Sequence, residues 1–368
     1  MSRRVFVAAT AAAAGHELRS TPAATNRAST KRETTALRVA QIGMQGHYSH
    51  IIHGIPKIKD CQLVAVARST PDEPVEKLKR FPAWNPQTRI YDDYRKMLDE
   101  IKPDVAAVFM PYARNSEANI EAVRRGCHVI SEKPLAVTMD ALELLTRERD
   151  HAGVRVTAIL PMRLMPVFLA AHQAAGDGLI GEPVLVSAQK SYRWGTSRPG
   201  YYRRRKDYGG TIPWVAIHAI DFIRYVSGLE YANVTARHAV KVHKDYPECE
   251  DCGALLFEMT NGGQATLTFD YLRPRRAPSH GDDRLRVVGS KGIVEVRSTD
   301  KPFCELVTDE APPRQLPLPE SRKNVFADFV GELRGTGRHF LSPEDPFRAT
   351  EVAIKARNAA DTRSTISL

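Results

Sequence analysis

Short apolar runs alternate with helical spacings along the first 160 residues. Leu37-Arg38-Val39-Ala40-Gln41-Ile42 is an apolar run stopped by Gly43, the pattern of a buried parallel strand entering a turn. Ile51, Ile52, Ile55 and Ile58 then recur at helical spacing. Further strands are predicted over 62–67, over 105–110 ending at Pro111, and over 128–131. Between them 74–81, 94–101 and 119–125 read as helices, and a helix over 139–153 leads to a last strand over 154–160. Strands alternating with helices predict an α/β Rossmann domain, a doubly wound parallel sheet, over residues 37–160.

Beyond residue 160 the period changes. A helix over 167–175, a strand over 183–190 and a helix over 215–226 precede alternating stretches at 254–259, 264–269, 284–288 and 293–297. Turn signals at Asn261-Gly262-Gly263 and Ser290-Lys291-Gly292 separate them. This predicts an α+β domain over 161–368 with a mostly antiparallel open sheet, its last helices (324–334, 347–361) packing back across the domain junction. With 368 residues, 42% of them apolar, the chain can fill two cores.

The first 36 residues read as an address. Ser2-Arg3-Arg4-Val5-Phe6-Val7 resembles a twin-arginine export motif, followed by a short apolar stretch and small residues, and predicts a periplasmic or secreted protein. A disordered tail on a cytoplasmic protein is the alternative. Outside this region no run of about 18 apolar residues predicts a membrane span.

The net charge is +10, of which +4 lies in that segment. The remainder suits a nucleotide phosphate, and no zinc-finger spacing or aromatic-and-basic motif predicts nucleic acid. Five scattered cysteines exclude a disulfide framework, and Cys249-x-x-Cys252 has no second pair to complete a zinc site. His47, His50 and His53 fan across a helix face without a completing carboxylate, so no metal is expected.

The turn Gly43-Met44-Gln45-Gly46-His47-Tyr48 follows a strand, where backbone N–H groups at a helix start can hold a pyrophosphate. It departs from G-x-G-x-x-G/A, having Gln45 at the second glycine and Tyr48 at the third small residue. The next strand ends in Ala67-Arg68-Ser69-Thr70 instead of an acid, and this cation with two hydroxyls favours NADP over NAD.

Val129-Ile130-Ser131-Glu132-Lys133-Pro134-Leu135 resembles the E-K-P signature of the glucose-fructose oxidoreductase and inositol dehydrogenase (Gfo/Idh/MocA) family. Four further matches follow the family's order: Phe109-Met110-Pro111, Gly178-Leu179-Ile180-Gly181-Glu182, Gly209-Gly210 through His218 to Asp221, and Val288-Gly289-Ser290-Lys291-Gly292. The resemblance implies a hydride-transferring oxidoreductase acting on a secondary hydroxyl of a sugar, polyol or sugar acid. NAD(P) would be bound by Gly43, Gln45, Gly46, His47, Arg68, Ser69, Pro111, Asn115, Glu132, Lys133 and Pro134. It further implies Lys133 as the cation polarising the reacting oxygen, His218 as acid or base, and a homo-oligomer formed through the open sheet face. An imidazole suits that role because its ordinary pKa lies near neutrality.

Asp221, one turn from His218, is placed to orient it or to pair with Arg224. Arg163, Arg193, Tyr202 and Arg203 are further substrate-side candidates, since aromatic faces and guanidinium forks suit carbohydrates and carboxylates. Trp214 stands where sugar dehydrogenases of the family usually carry an aspartate, and Asn115 where many carry histidine. Tryptophan moves no protons, but can stack on a sugar or wall off the nicotinamide. Two alternatives therefore stand beside the redox reading: a redox-neutral enzyme cleaving glycosides through a keto intermediate on tightly bound NAD(P), and a non-catalytic sugar- or nucleotide-binding protein.

Overall fold

A computed structural model describes residues 36–196, 198–320 and 324–368; the twin-arginine-like segment lies outside them. The first sheet has six parallel strands: β1 (Leu37–Ile42), β2 (Cys61–Ala67), β3 (Arg89–Tyr91), β4 (Val105–Val108), β5 (His128–Ser131) and β6 (Val156–Ala158). Their spatial order is β3-β2-β1-β4-β5-β6, all parallel, which is the doubly wound Rossmann order. The chain reverses between β1 and β4, so a crevice opens at their carboxyl ends, where such sheets bind ligands.

The helix expected after β1 is cut short. It covers only Ser49–Ile52, and a 3₁₀ turn at Ile55–Lys57 follows. Gly54 and Pro56 stop it, because glycine is a weak helix former and proline cannot donate to the helix ladder. Ile51, Ile52 and Ile55 are still buried, against Val39, Leu63 and Phe326.

The second sheet has nine strands: β7 (Pro183–Tyr192), β8 (Tyr231–Ala239), β9 (Cys252–Met259), β10 (Gln264–Asp270), β11 (Gly281–Gly289), β12 (Gly292–Ser298), β13 (Phe303–Thr308), β14 (Ala311–Gln315) and β15 (Thr365–Ser367). Their order is β14-β13-β12-β11-β7-β10-β9-β8-β15, antiparallel except for the β7–β10 pair. Alternation sets its faces: Val186, Ala188 and Lys190 of β7 point inward, while Leu185 and Ser187 face out. Helices Pro166–Gly176, Ile217–Ser227 and Asp345–Thr362 supply apolar side chains to the core on the inner face.

The last two helices return to the first sheet. Phe326, Phe329 and Val330 of Val325–Leu333 fill the cluster around Ile51 and Leu63. On Asp345–Thr362, the Thr350 hydroxyl accepts from Leu135 N–H (3.3 Å), and Arg357 donates to both Val137 O and Gly209 O (2.7 and 3.0 Å). The Glu132-Lys133-Pro134 segment and the Gly209-Gly210 turn are thus held by one helix. Among the described residues no helix is long and apolar enough to cross a membrane.

Candidate active site

Gly43 and Gly46 have φ of 75° and 64°, the left-handed region that glycine enters without strain. A Cβ would lie 2.2 Å from Phe109 O at Gly43 and 2.0 Å from Glu132 Oε2 at Gly46. No side chain fits at either place, so the turn lies directly on the ends of β4 and β5. Two buried carboxylates hold its N–H groups. Glu73 accepts from Met44 N–H (3.0 Å) and the Gln45 amide (2.7 Å), and Glu132 accepts from His47 N–H and His47 Nδ1 (3.0 Å).

Glu132 and Lys133 leave β5 where the sheet ends, and the Lys133–Pro134 bond is cis. Both side chains are buried, at 0% and 1% exposure. Burial pushes the Glu132 carboxyl up, but the His47 ring and the Lys133 charge outweigh it and leave the group below its ordinary value. The Lys133 ammonium donates to Trp214 O and lies 3.0 Å from the centre of the Trp214 ring. Burial, with the charges of Lys190 and Arg198, drives its pKa well below the ordinary 10.5, against the opposing pull of Glu132.

His218 enters from the other side. A π-helical turn, Ile212–Ala216, precedes the helix Ile217–Ser227 and sets the register that points His218 at the strand ends. The ring is 1% exposed, stands edge-on to His47 at 6.1 Å between centroids, and its Nδ1 has no hydrogen-bond partner among the described residues. Burial first, then the charges of Lys133, Lys190 and His47, lower its pKa well below 6.5. At neutral pH this imidazole is uncharged and able to accept a proton.

The predicted residues do not all converge. Lys133, Glu132, Pro134, His47, Gly46, Trp214 and His218 do. Trp214 offers no face to a sugar, however: Tyr112 stacks on the indole at 3.5 Å and 14°, and at 3.0 Å the Lys133 ammonium must occupy the opposite face. Asn115 is fully buried at the ends of β4 and β5, accepting from Met110 N–H and donating to Glu132 O and Pro134 O. Its polar atoms are thereby engaged by backbone.

Arg163 and Asp221 bind each other through a buried fork (2.6–3.1 Å), and Arg163 continues to Asp345 at 2.9 Å. Asp221 is thereby committed to Arg163, with no hydrogen bond to His218 among the described residues, and Arg224 pairs with Glu230 and Asp345. Arg68 is consumed by Glu76, Asp92 and Glu73 O, and Ser69 donates to Glu73. Pro111 closes β4 beside Tyr112, whose hydroxyl meets that of buried Tyr202 at 3.0 Å. Arg203 is exposed over Tyr246, and Arg193 bonds Arg275 O (3.3 Å), both in the loops beyond this wall.

Sequence reading missed Lys190 and Asp283. They face each other across β7 and β11 in direct register, both buried, joined at 2.7 Å. The signal was present: Lys190 shares the inward parity of Val186 and Ala188, and Asp283 that of Leu285 and Val287. Glu73 and Tyr112 were also missed; one lies in a loop, the other in a 3₁₀ turn, where no periodicity marks an inward residue.

A Rossmann crevice lined by a strand-end lysine and a buried neutral histidine defines a nicotinamide-dependent type of oxidoreductase. Residues 37–159 match the model of the oxidoreductase family with an NAD-binding Rossmann fold, and residues 168–295 that of the GFO/IDH/MocA C-terminal domain. A Thermotoga maritima protein assigned to the oxidoreductases is 35% identical, with a TM-score of 0.84 over 90% of this chain and 100% of that one. Inositol 2-dehydrogenase of Rhizobium meliloti is 26% identical over 72% of this chain and 81% of its own length. Levoglucosan dehydrogenase in complex with NADH, 16% identical, shares the fold at a TM-score of 0.76 over 90% of this chain and 99% of its own. The chain belongs to the Gfo/Idh/MocA family of oxidoreductases.

Proposed function

We propose that the protein oxidises or reduces a secondary hydroxyl of a sugar, polyol or sugar acid at the crevice formed by β1, β4 and β5. The observation carrying this reading is the buried pair Lys133 and His218, one a cation of lowered pKa, the other a neutral imidazole with an unpartnered Nδ1. The residues present fit a dinucleotide: a two-glycine turn too tight for side chains lies at the switch point, with buried acceptors at one end and the Lys133–His218 pair at the other. When bound, the nicotinamide supplies the hydride acceptor or donor at the carbon bearing the hydroxyl.

His218 accepts the hydroxyl proton during oxidation and returns it during reduction. Lys133 keeps N–H groups beyond the one given to Trp214 O and stabilises negative charge on the same oxygen as it passes between alcohol and carbonyl. Glu132 tethers His47 and the turn, fixing the floor beneath this chemistry. The wall of Trp214, Tyr112 and Tyr202 excludes water, which strengthens both interactions.

Export through the twin-arginine-like segment and assembly through the outer face of the second sheet belong to this proposal. Leu185 and Leu256 are 43% and 49% exposed on that face, which supports the latter. A redox-neutral reaction remains the second reading, favoured by Trp214 in place of the aspartate. The test is to identify nucleotide released from the purified protein and then follow nicotinamide absorbance across sugars and sugar acids. Redox turnover lost in Lys133→Ala with the fold intact supports dehydrogenation. Bound nucleotide without redox turnover on any sugar favours the second reading, and no nucleotide binding contradicts both.

A further inference from the structure

β2 ends without the acid that commonly meets an adenosine ribose, but the fold delivers one to the same place from the following loop. Glu73 is 3% exposed. Its Oε2 accepts from Ser69 N–H (2.7 Å) and Ser69 Oγ (2.8 Å), and its Oε1 from the Gln45 amide (2.7 Å) and Met44 N–H (3.0 Å). Four donors from the glycine turn and the end of β2 thus converge on one carboxylate, close to what its two oxygens can accept. A doubly wound sheet puts the adenosine ribose at the carboxyl ends of these two strands. Arg68, whose charge would suit a 2′-phosphate, is already paired with Glu76 and Asp92 and donates to the backbone carbonyl of Glu73.

We propose that Glu73 sets nucleotide choice: it accepts the ribose 2′-hydroxyl, displacing the rotatable Ser69 hydroxyl or the Gln45 amide, and repels a 2′-phosphate. The protein then selects NAD(H) over NADP(H), opposite to the preference that Arg68-Ser69-Thr70 suggests in sequence. This rests on the nicotinamide-nucleotide reading above. Like charges about 4 Å apart at a partly buried site repel enough to shift affinity by well over tenfold. Because the carboxylate is pinned by two backbone N–H groups, it cannot swing aside to admit a phosphate without leaving those donors unpaired.

The test is fluorescence titration of the full-length protein, stripped of nucleotide, with NADH and with NADPH, supplemented by competition between AMP and adenosine 2′,5′-bisphosphate. NADH is expected to bind roughly 30-fold tighter or more, and AMP to outcompete the bisphosphate. Glu73→Gln keeps the shape and removes the charge, so the ratio should collapse to within about threefold, chiefly by gain of NADPH affinity. If that variant fails to fold, the competition on the unaltered protein and the retained preference of Glu73→Asp decide. Equal or tighter NADPH binding, or an unchanged ratio in Glu73→Gln, overturns the proposal alone. Binding of neither nucleotide overturns it together with the oxidoreductase reading.

Discussion

Two lysines in this molecule are equally buried, and they differ in what faces the charge. Lys133 and Lys190 are each 1% exposed, and each ammonium lies against an aromatic ring, Trp214 at 3.0 Å and Tyr192 at 4.5 Å. Lys190 also meets the carboxylate of Asp283 at 2.7 Å. Burial lowers its pKa, but Asp283 and the Tyr192 hydroxyl outweigh burial and leave it above 10.5. Among the described residues the Lys133 ammonium meets a backbone carbonyl and a π face, and the adjacent Glu132 is taken up by His47 and the Lys133 backbone N–H. Burial prevails there, and the pKa falls. One lysine is thereby a fixed charge within the fold and the other a group able to trade a proton or meet developing negative charge.

Breaking the comparison at Lys133 should have the largest effect. Lys133→Met is expected to lower turnover by about 10²- to 10³-fold while leaving the thermal midpoint unchanged or raised, since it removes a poorly compensated buried charge. A large fall in that midpoint with little loss of turnover would reverse the roles assigned to the two lysines. At Lys190 the opposite pattern is expected. Asp283→Asn strands a buried ammonium and should cost about 3–5 kcal/mol in urea unfolding, most of it regained when Lys190→Met is added.

His218→Asn should reduce turnover by about 10²-fold or more and flatten the acid limb of the pH–rate profile, below pH 6.5, with NADH affinity preserved. The smallest effect concerns acid stability. His218 is held neutral in the fold, with a pKa well below the 6.5 of an unfolded chain, so its contribution is complete above about pH 6.5 and is lost as the pH falls below it. Unfolding free energies from urea titrations at pH 5.5 and 7.5 should therefore converge in His218→Asn, by up to about 1.4 kcal/mol for the pH unit below 6.5.

Much of this was legible in the sequence because strands and helices impose periods. The apolar run before Gly43, the strand ending in Glu132-Lys133-Pro134 and the helix carrying His218 each announce themselves by spacing and position, and the Rossmann order follows from their alternation. The partners of charged groups were less legible. Asp221 meets Arg163, 58 positions away, a contact that depends on how a 3₁₀ turn docks on a helix. Trp214 is readable in sequence as a sugar-stacking face or as a wall beside the nicotinamide, and Tyr112, from a turn that carries no pattern, closes one of its faces. Strand parity by itself places Lys190 and Asp283 on the buried face of their sheet, although neither belongs to a motif.

The contrast between the lysines is tested most directly by ¹⁵N NMR of lysine-labelled protein, following side-chain Nζ shifts with pH and assigning the two sites with Lys133→Arg and Lys190→Arg. The account predicts one resonance that titrates far below 10.5 and disappears in Lys133→Arg, and another that stays protonated beyond 10.5 and disappears in Lys190→Arg. Titration of both lysines above 10 would contradict it, and would leave Lys133 a fixed charge like its counterpart.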